Sequence, residues 1–145
     1  MRDHSPFAAD ASLPIEAPPG EGLIDQAFRF HAASTPHATA LLYESERFTY
    51  ADLAARSHRI ARQLQANNYG AGARIAILAE RRPELIWTIL GVLRGGGMFI
   101  LLDSAYPPAR LASLLAVARP DVLLAAGAEA VENAARILGA PRFCW

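Results

Sequence analysis

Three apolar runs return at a nearly constant interval along this chain: RIAILAE at residues 74–80, MFILLD at 98–103 and DVLLAA at 121–126. Each is too continuous for a strand with one wet face, which predicts three strands buried on both faces of a parallel sheet. A helical pattern follows each run. Pro83 opens PELIWTILGVLR, where the missing N–H of a first-turn proline costs nothing. Its apolar residues Leu85, Ile86, Trp87, Ile89, Leu90, Val92 and Leu93 fall on nearly every face, so this helix is expected to be sandwiched inside the protein. Pro107 and Pro108 open a helix carrying Leu111, Leu114, Leu115 and Val117, and residues 128–138 repeat the pattern with Val131, Ala134, Ala135, Ile137 and Leu138. Strand and helix alternating about every 24 residues calls for right-handed crossovers. The expected fold class is layered α/β, a mainly parallel sheet flanked by helices.

Upstream, Leu23, Ile24, Ala27, Phe28 and Phe30 are spaced for a surface helix that Pro36 stops. Ala40 to Tyr43 and Phe48 to Tyr50 fit a β-hairpin around the polar quartet Glu44, Ser45, Glu46 and Arg47. Thr49 and Asp52 then take the two places of a capping box. In the helix they open, Leu53, Ser57, Ile60 and Leu64 form one stripe while Arg56, Arg59 and Arg62 point elsewhere. Asn67, Asn68 and Gly70 can accept the left-handed conformation that ends it. Residues 1–21, rich in proline, alanine and acid, read as a flexible leader or linker, which leaves 22–145 as the folded part.

A chain of 145 residues holds one core rather than two. Fourteen acidic side chains balance fourteen basic ones, so no single-sign field marks a nucleic-acid or anionic membrane partner. All the basic side chains are arginine; the sequence contains no lysine. Cys144 is the sole cysteine, which excludes an internal disulfide and a cysteine-rich metal site and points to a reducing, cytoplasmic setting. No signal-like segment opens the chain, and no apolar run reaches the roughly 18 residues of a membrane span, so a soluble protein is expected.

The local motifs are chemically quiet. A dinucleotide fingerprint needs its glycines after a strand and at the opening of a helix. Gly95, Gly96 and Gly97 come after a helix and before a strand, the order of a helix C-cap, and Gly70 and Gly72 share that inverted placement. A phosphate loop of the Gly-rich type needs a lysine that is absent. Asp103 stands at a strand end, where open α/β sheets bind ligands, but a phosphoacceptor would need an acidic pair and a lysine beside it. Capping the Ser104 to Pro108 turn is the role expected of Asp103. His4, His31, His37 and His58 are scattered without metal-ligand spacing, and no serine sits in a nucleophile elbow. No catalytic, cofactor-binding or metal-ligating residue is assigned.

In order, these stretches resemble the N-terminal part of an adenylation domain of the adenylate-forming superfamily, most closely the amino-acid-activating domains of nonribosomal peptide synthetases. FTYADL at 48–53 is similar to the first core motif, Leu-Thr/Ser-Tyr-x-Glu-Leu, with Phe48 for Leu and Asp52 for Glu. LRGGGMFILLDSAYPPARL at 93–111 is similar to the segment around the second, Leu-Lys-Ala-Gly-x-Ala-Tyr-hydrophobic-Pro-hydrophobic-Asp. There Arg94 stands for Lys, Gly95 for Ala, Met98 for Ala, Phe99 for Tyr and Leu101 for Pro. The matching positions Thr49, Tyr50, Asp52, Leu53, Gly96, Asp103, Tyr106 and Pro107 are expected to be structural.

The resemblance implies that 22–145 is an incomplete N-terminal portion of an ATP- and magnesium-using domain. Complete, such a domain activates an amino or other carboxylic acid as acyl-AMP and passes it to a phosphopantetheinyl carrier protein. The family's Ser/Thr/Gly-rich phosphate loop, substrate pocket and lid lysine all follow the matched region, so the chain alone is expected to be inactive and to partner the remainder of the domain. Two other readings stand beside this one: a non-catalytic interaction module or half of a split enzyme, and an unrelated flavodoxin-like binding domain.

Overall fold

The computed structural model describes residues 23–138 and 143–144; the expected leader, residues 1–21, lies outside them. Along the chain run α1 (Ile24–Ser34), β1 (Thr39–Tyr43), β2 (Glu46–Thr49), α2 (Tyr50–Ala66), β3 (Arg74–Ala79) and α3 (Pro83–Arg94). They are followed by β4 (Met98–Asp103), α4 (Pro108–Ala118), β5 (Val122–Ala126), α5 (Ala128–Leu138) and β6 (Phe143–Cys144). The α/β layering expected from the periodicity is present, and β3, β4 and β5 begin at residues 74, 98 and 122.

Strands β4, β3, β5 and β6 lie side by side in that order, every pair parallel. The short β6 extends this sheet beyond the three apolar runs legible in the sequence. Side chains alternate across the sheet. Ile75, Ile77 and Ala79 of β3, with Val122, Leu124 and Ala126 of β5, face Ile60 and Leu64 of α2 and Trp87 and Val92 of α3. On the other face Ala76, Leu78, Leu102, Leu123 and Ala125 meet Leu111 of α4 and Ala130 and Ala134 of α5. The β1–β2 hairpin forms a separate antiparallel pair. Its turn is Glu44–Ser45, while Glu46 and Arg47 belong to β2 and Tyr50 opens α2. The hairpin is therefore tighter than the polar quartet suggested.

Two expectations of burial need correction. MFILLD is not buried on both faces: β4 is the edge strand, and Met98, Phe99 and Leu101 are 54%, 37% and 50% exposed. Nor is α3 sandwiched among the described residues, because Ile86 is exposed and Leu85, Ile89 and Leu93 are only half-buried. In both elements the apolar run is real and the layer that would cover its outer side is missing from the described residues. On α4, likewise, Leu111 is buried but Leu114 and Val117 are exposed.

Helix ends follow their local chemistry. The Gly97 N–H donates to the Val92 carbonyl and the Gly96 N–H to the Leu93 carbonyl, each at 3.0 Å, with Gly96 at φ +82°. This pair of hydrogen bonds around a left-handed residue closes α3 and turns the chain into β4. Asn68, at φ 63°, plays the same part for α2, where the Tyr69 N–H reaches the Leu64 carbonyl at 2.8 Å.

Candidate functional site

The first motif is a joint between the hairpin and α2. Asp52 N–H donates to Thr49 Oγ1 at 3.2 Å, and Asp52 Oδ2 accepts the Thr49 N–H at 2.9 Å and the Thr49 hydroxyl at 2.7 Å. Those bonds hold the Asp52 carboxyl below the usual carboxylate range, the Thr49 hydroxyl being the first cause and its N–H the second. The Tyr50 ring lies 5.9 Å from Phe28 and 5.7 Å from His31, which ties α1 to the start of α2. One turn on, Leu53 is buried.

The second motif frames β4 from both ends. Gly96 sits before the strand against Ala71, and its carbonyl accepts the Gly72 N–H at 2.9 Å. Asp103 ends the strand; its Oδ1 accepts the Ala105 N–H at 2.9 Å and its carbonyl the Tyr106 N–H at 3.1 Å. Pro107 is the N-cap of α4, and Arg110 lies 4.4 Å over the Tyr106 ring. A six-residue strand separates Gly96 from Asp103 by about 20 Å, so these residues cannot converge on one ligand.

The concave surface lies elsewhere, at the carboxyl ends of β3 and β5. From β3 the chain crosses to β4 on one side and returns to β5 on the other, so the crevice between β3 and β5 is the topological switch point of the sheet. A cavity of about 400 Å³ there is lined by Arg56, Arg59, Ile60, Glu84, Trp87, Gly127 and Ala128. The Arg56 guanidinium lies 4.4 Å from the Trp87 ring centre and 5.4 Å from that of Phe48, which sets it as a planar cation on an aromatic floor. Glu84 Oε2 is buried without a hydrogen bond, and the nearest cation is Arg82 Nε at 3.8 Å. A second cavity of about 330 Å³ beside it adds Glu80, Arg82 and Glu129.

None of these lining residues was singled out in the sequence as a site. The signals available were the i, i+3 spacing of Arg56 and Arg59 and the rule that strand carboxyl ends bear ligands. Among the described residues no group of three histidine, cysteine or acidic side chains is placed to hold a metal ion.

A parallel sheet wound both ways from β3, with helices on both faces, defines the doubly wound α/β class. Residues 28–142 match the family of AMP-binding enzymes, and the chain belongs to that family. Tyrocidine synthase 3 of Brevibacillus parabrevis is 38% identical over 101 residues, 70% of this chain and 2% of that protein. The solved nonribosomal peptide synthetase FmoA3, in its α-methyl-L-serine-AMP-bound form, is 30% identical with a TM-score of 0.69, covering 76% of this chain and 12% of that one. VinN with L-aspartate shares the fold at a TM-score of 0.75 and 22% identity, covering 85% of this chain and 35% of that one. The chain thus spans a small part of the relatives it matches. Its order β4-β3-β5-β6 is also that of the first four strands of a flavodoxin-like sheet, but family membership decides against an unrelated flavodoxin-like domain.

Proposed function

We propose that this chain is the N-terminal portion of an adenylation domain that activates an amino or other carboxylic acid as acyl-AMP for transfer to a carrier-protein thiol, and that the 145-residue chain alone carries out no adenylation. The observation that carries this reading is the open edge of the sheet. β4 is a family-motif strand with no charge before Asp103, yet Met98, Phe99 and Leu101 are exposed, as is Ile86 of α3. Natural edge strands are guarded by charge, proline or a bulge, and β4 has none of these before Asp103 at its end. Its surface fits burial against a larger body.

The residues present do not by themselves make a nucleotide site. Attack of a carboxylate on the α-phosphate of ATP depends on positioning and on neutralising developing negative charge. The sequence offers no lysine for that task, and the arginines at the switch point share their cavities with Glu80, Glu84 and Glu129. In this reading ATP, magnesium and the acyl acceptor are handled by the remainder of the domain. The test is amino-acid-dependent exchange of labelled pyrophosphate into ATP. The chain alone is expected to give none, and fusion to the downstream part of a related adenylation domain is expected to restore it. Exchange by the chain alone overturns the proposal.

A further inference from the structure

The open edge at β4 presents main-chain groups as well as apolar side chains. The Met98 N–H donates to the Ala73 carbonyl at 2.8 Å and the Ser104 N–H to the Ala79 carbonyl at 3.2 Å, so Met98, Ile100 and Leu102 turn their main-chain groups toward β3. Alternation turns those of Phe99, Leu101 and Asp103 to the open side. The Asp103 carbonyl already accepts the Tyr106 N–H at 3.1 Å. Among the described residues, Phe99 and Leu101 each keep an N–H and a carbonyl with no neighbouring strand.

A second copy related by a two-fold axis meets this edge antiparallel. With the axis at Ile100, Phe99 of each copy stands opposite the partner's Leu101, and the two pairs exchange four N–H···O=C bonds using only the free groups. Centring on Leu101 would call on the Asp103 carbonyl held by Tyr106. Centring on Phe99 would call on the Gly97 N–H, which donates to the Val92 carbonyl at 3.0 Å. One register is thereby selected. In it Phe99 lies beside the partner's Leu101 on the α2 and α3 face, and Met98 beside the partner's Leu102 on the other. Asp103 falls opposite the partner's Gly97, the strand end approached through Arg94, whereas parallel pairing would set two Asp103 carboxylates side by side. Neither Arg94 nor Asp103 has an ion pair among the described residues. Such an exposed pair adds little strength but fixes direction. Residues 1–22 offer no match for this edge, since they hold four prolines, four acids and no apolar run longer than three, and β6 lies at the far edge.

We propose that the 145-residue chain, standing without the rest of the domain, pairs β4 antiparallel with β4 of a second copy about a two-fold axis at Ile100. Three partly exposed side chains cover far less than the roughly 800 Å² per partner of a stable interface, so the dimer is reversible. It uses the edge invoked in the proposed function but none of that reading's chemistry, so pyrophosphate exchange and self-association can fail independently. Sedimentation of the full chain from micromolar to millimolar concentration should show a monomer–dimer equilibrium that stops at the dimer, because two-fold pairing consumes both edges. Register is read by oxidative cross-linking in a Cys144→Ser background. Ile100→Cys faces its own copy at a Cα separation of about 4.5 Å, inside disulfide range, whereas Met98→Cys, on the same strand and more exposed, is four residues out of register with itself. Ile100→Cys should therefore link roughly tenfold faster than Met98→Cys, and adding Leu101→Lys should remove most of that advantage. Urea unfolding confirms that each variant is folded before it is compared. A chain that stays monomeric at millimolar concentration, growth past the dimer, or equal linking by folded Ile100→Cys and Met98→Cys variants overturns the proposal.

Discussion

Gly91 is the point of closest approach between α2 and α3, and adding one methyl there should separate them. A Cβ built on Gly91 would lie 2.7 Å from Ile60 Cβ, 2.8 Å from Ile60 Cγ2 and 2.9 Å from the Ser57 carbonyl oxygen. All three are inside contact distance, and neither a Cβ nor a backbone oxygen can swing away, so the helices themselves must shift. Overpacking of this kind costs about 1–3 kcal/mol. Alanine returns roughly 1 kcal/mol over glycine as a helix former. With three short contacts at a site between fully packed helices the steric cost falls at the upper end, leaving a net loss of about 2 kcal/mol. Gly95→Ala is the internal control. Gly95 has a right-handed helical φ of −75°, and its Cβ would meet nothing closer than 3.4 Å, so the same exchange should be neutral or stabilising by up to about 0.5 kcal/mol. Urea unfolding followed by far-UV circular dichroism measures both. If Gly91→Ala is as stable as Gly95→Ala, helix propensity governs the position and the packing argument is wrong.

Other perturbations test other parts of the frame. Gly96→Ala places a side chain at φ +82° with its Cβ 3.2 Å from Ala71 Cα, and should cost about 1–2 kcal/mol in the same urea assay. Trp87→Ala removes the floor under Arg56 and a buried ring of the core, with an expected loss of about 3–5 kcal/mol; retained cooperative unfolding near the parent midpoint would contradict that role. The carboxyls of Asp52 and Asp121 are both held below the usual range, Asp121 first by the Arg74 N–H and then by its side chain. A depressed folded pKa contributes stability that is full above the unfolded value of about 3.9 and is lost as pH falls through the folded value. The urea midpoint should therefore hold above about pH 5 and fall below about pH 4, and Asp121→Asn should lower it at neutral pH and flatten that acid fall. Leu101→Lys at the open edge should suppress concentration-dependent association of the chain, seen by sedimentation, while leaving its unfolding midpoint nearly unchanged.

The sequence disclosed the elements far better than their neighbours. Pattern and punctuation located β3, β4 and β5, the prolines that open α3 and α4, and the capping box at Thr49, because each is decided by residues within a few positions of one another. MFILLD reads as a buried strand because its side chains are apolar on both faces, and it is half-exposed because strand order, which no local pattern records, places it at the edge. Gly91 left only a lone glycine in an apolar helix as its signal, since what makes it necessary is Ile60, thirty-one positions away in the chain. The basic face of α2 was legible as three arginines off its apolar stripe. The meeting of Arg56 and Arg59 with Trp87, Glu84 and Gly127 depended on how α2 lies across the ends of β3 and β5. Among the described residues two unlike surfaces are therefore left uncovered, an apolar edge at β4 and a basic face on α2. Apolar burial and ion pairing respond oppositely to salt. Raising ionic strength should therefore strengthen whatever association uses β4 and weaken whatever uses Arg56, Arg59 and Arg62, which allows the two surfaces to be told apart in one titration.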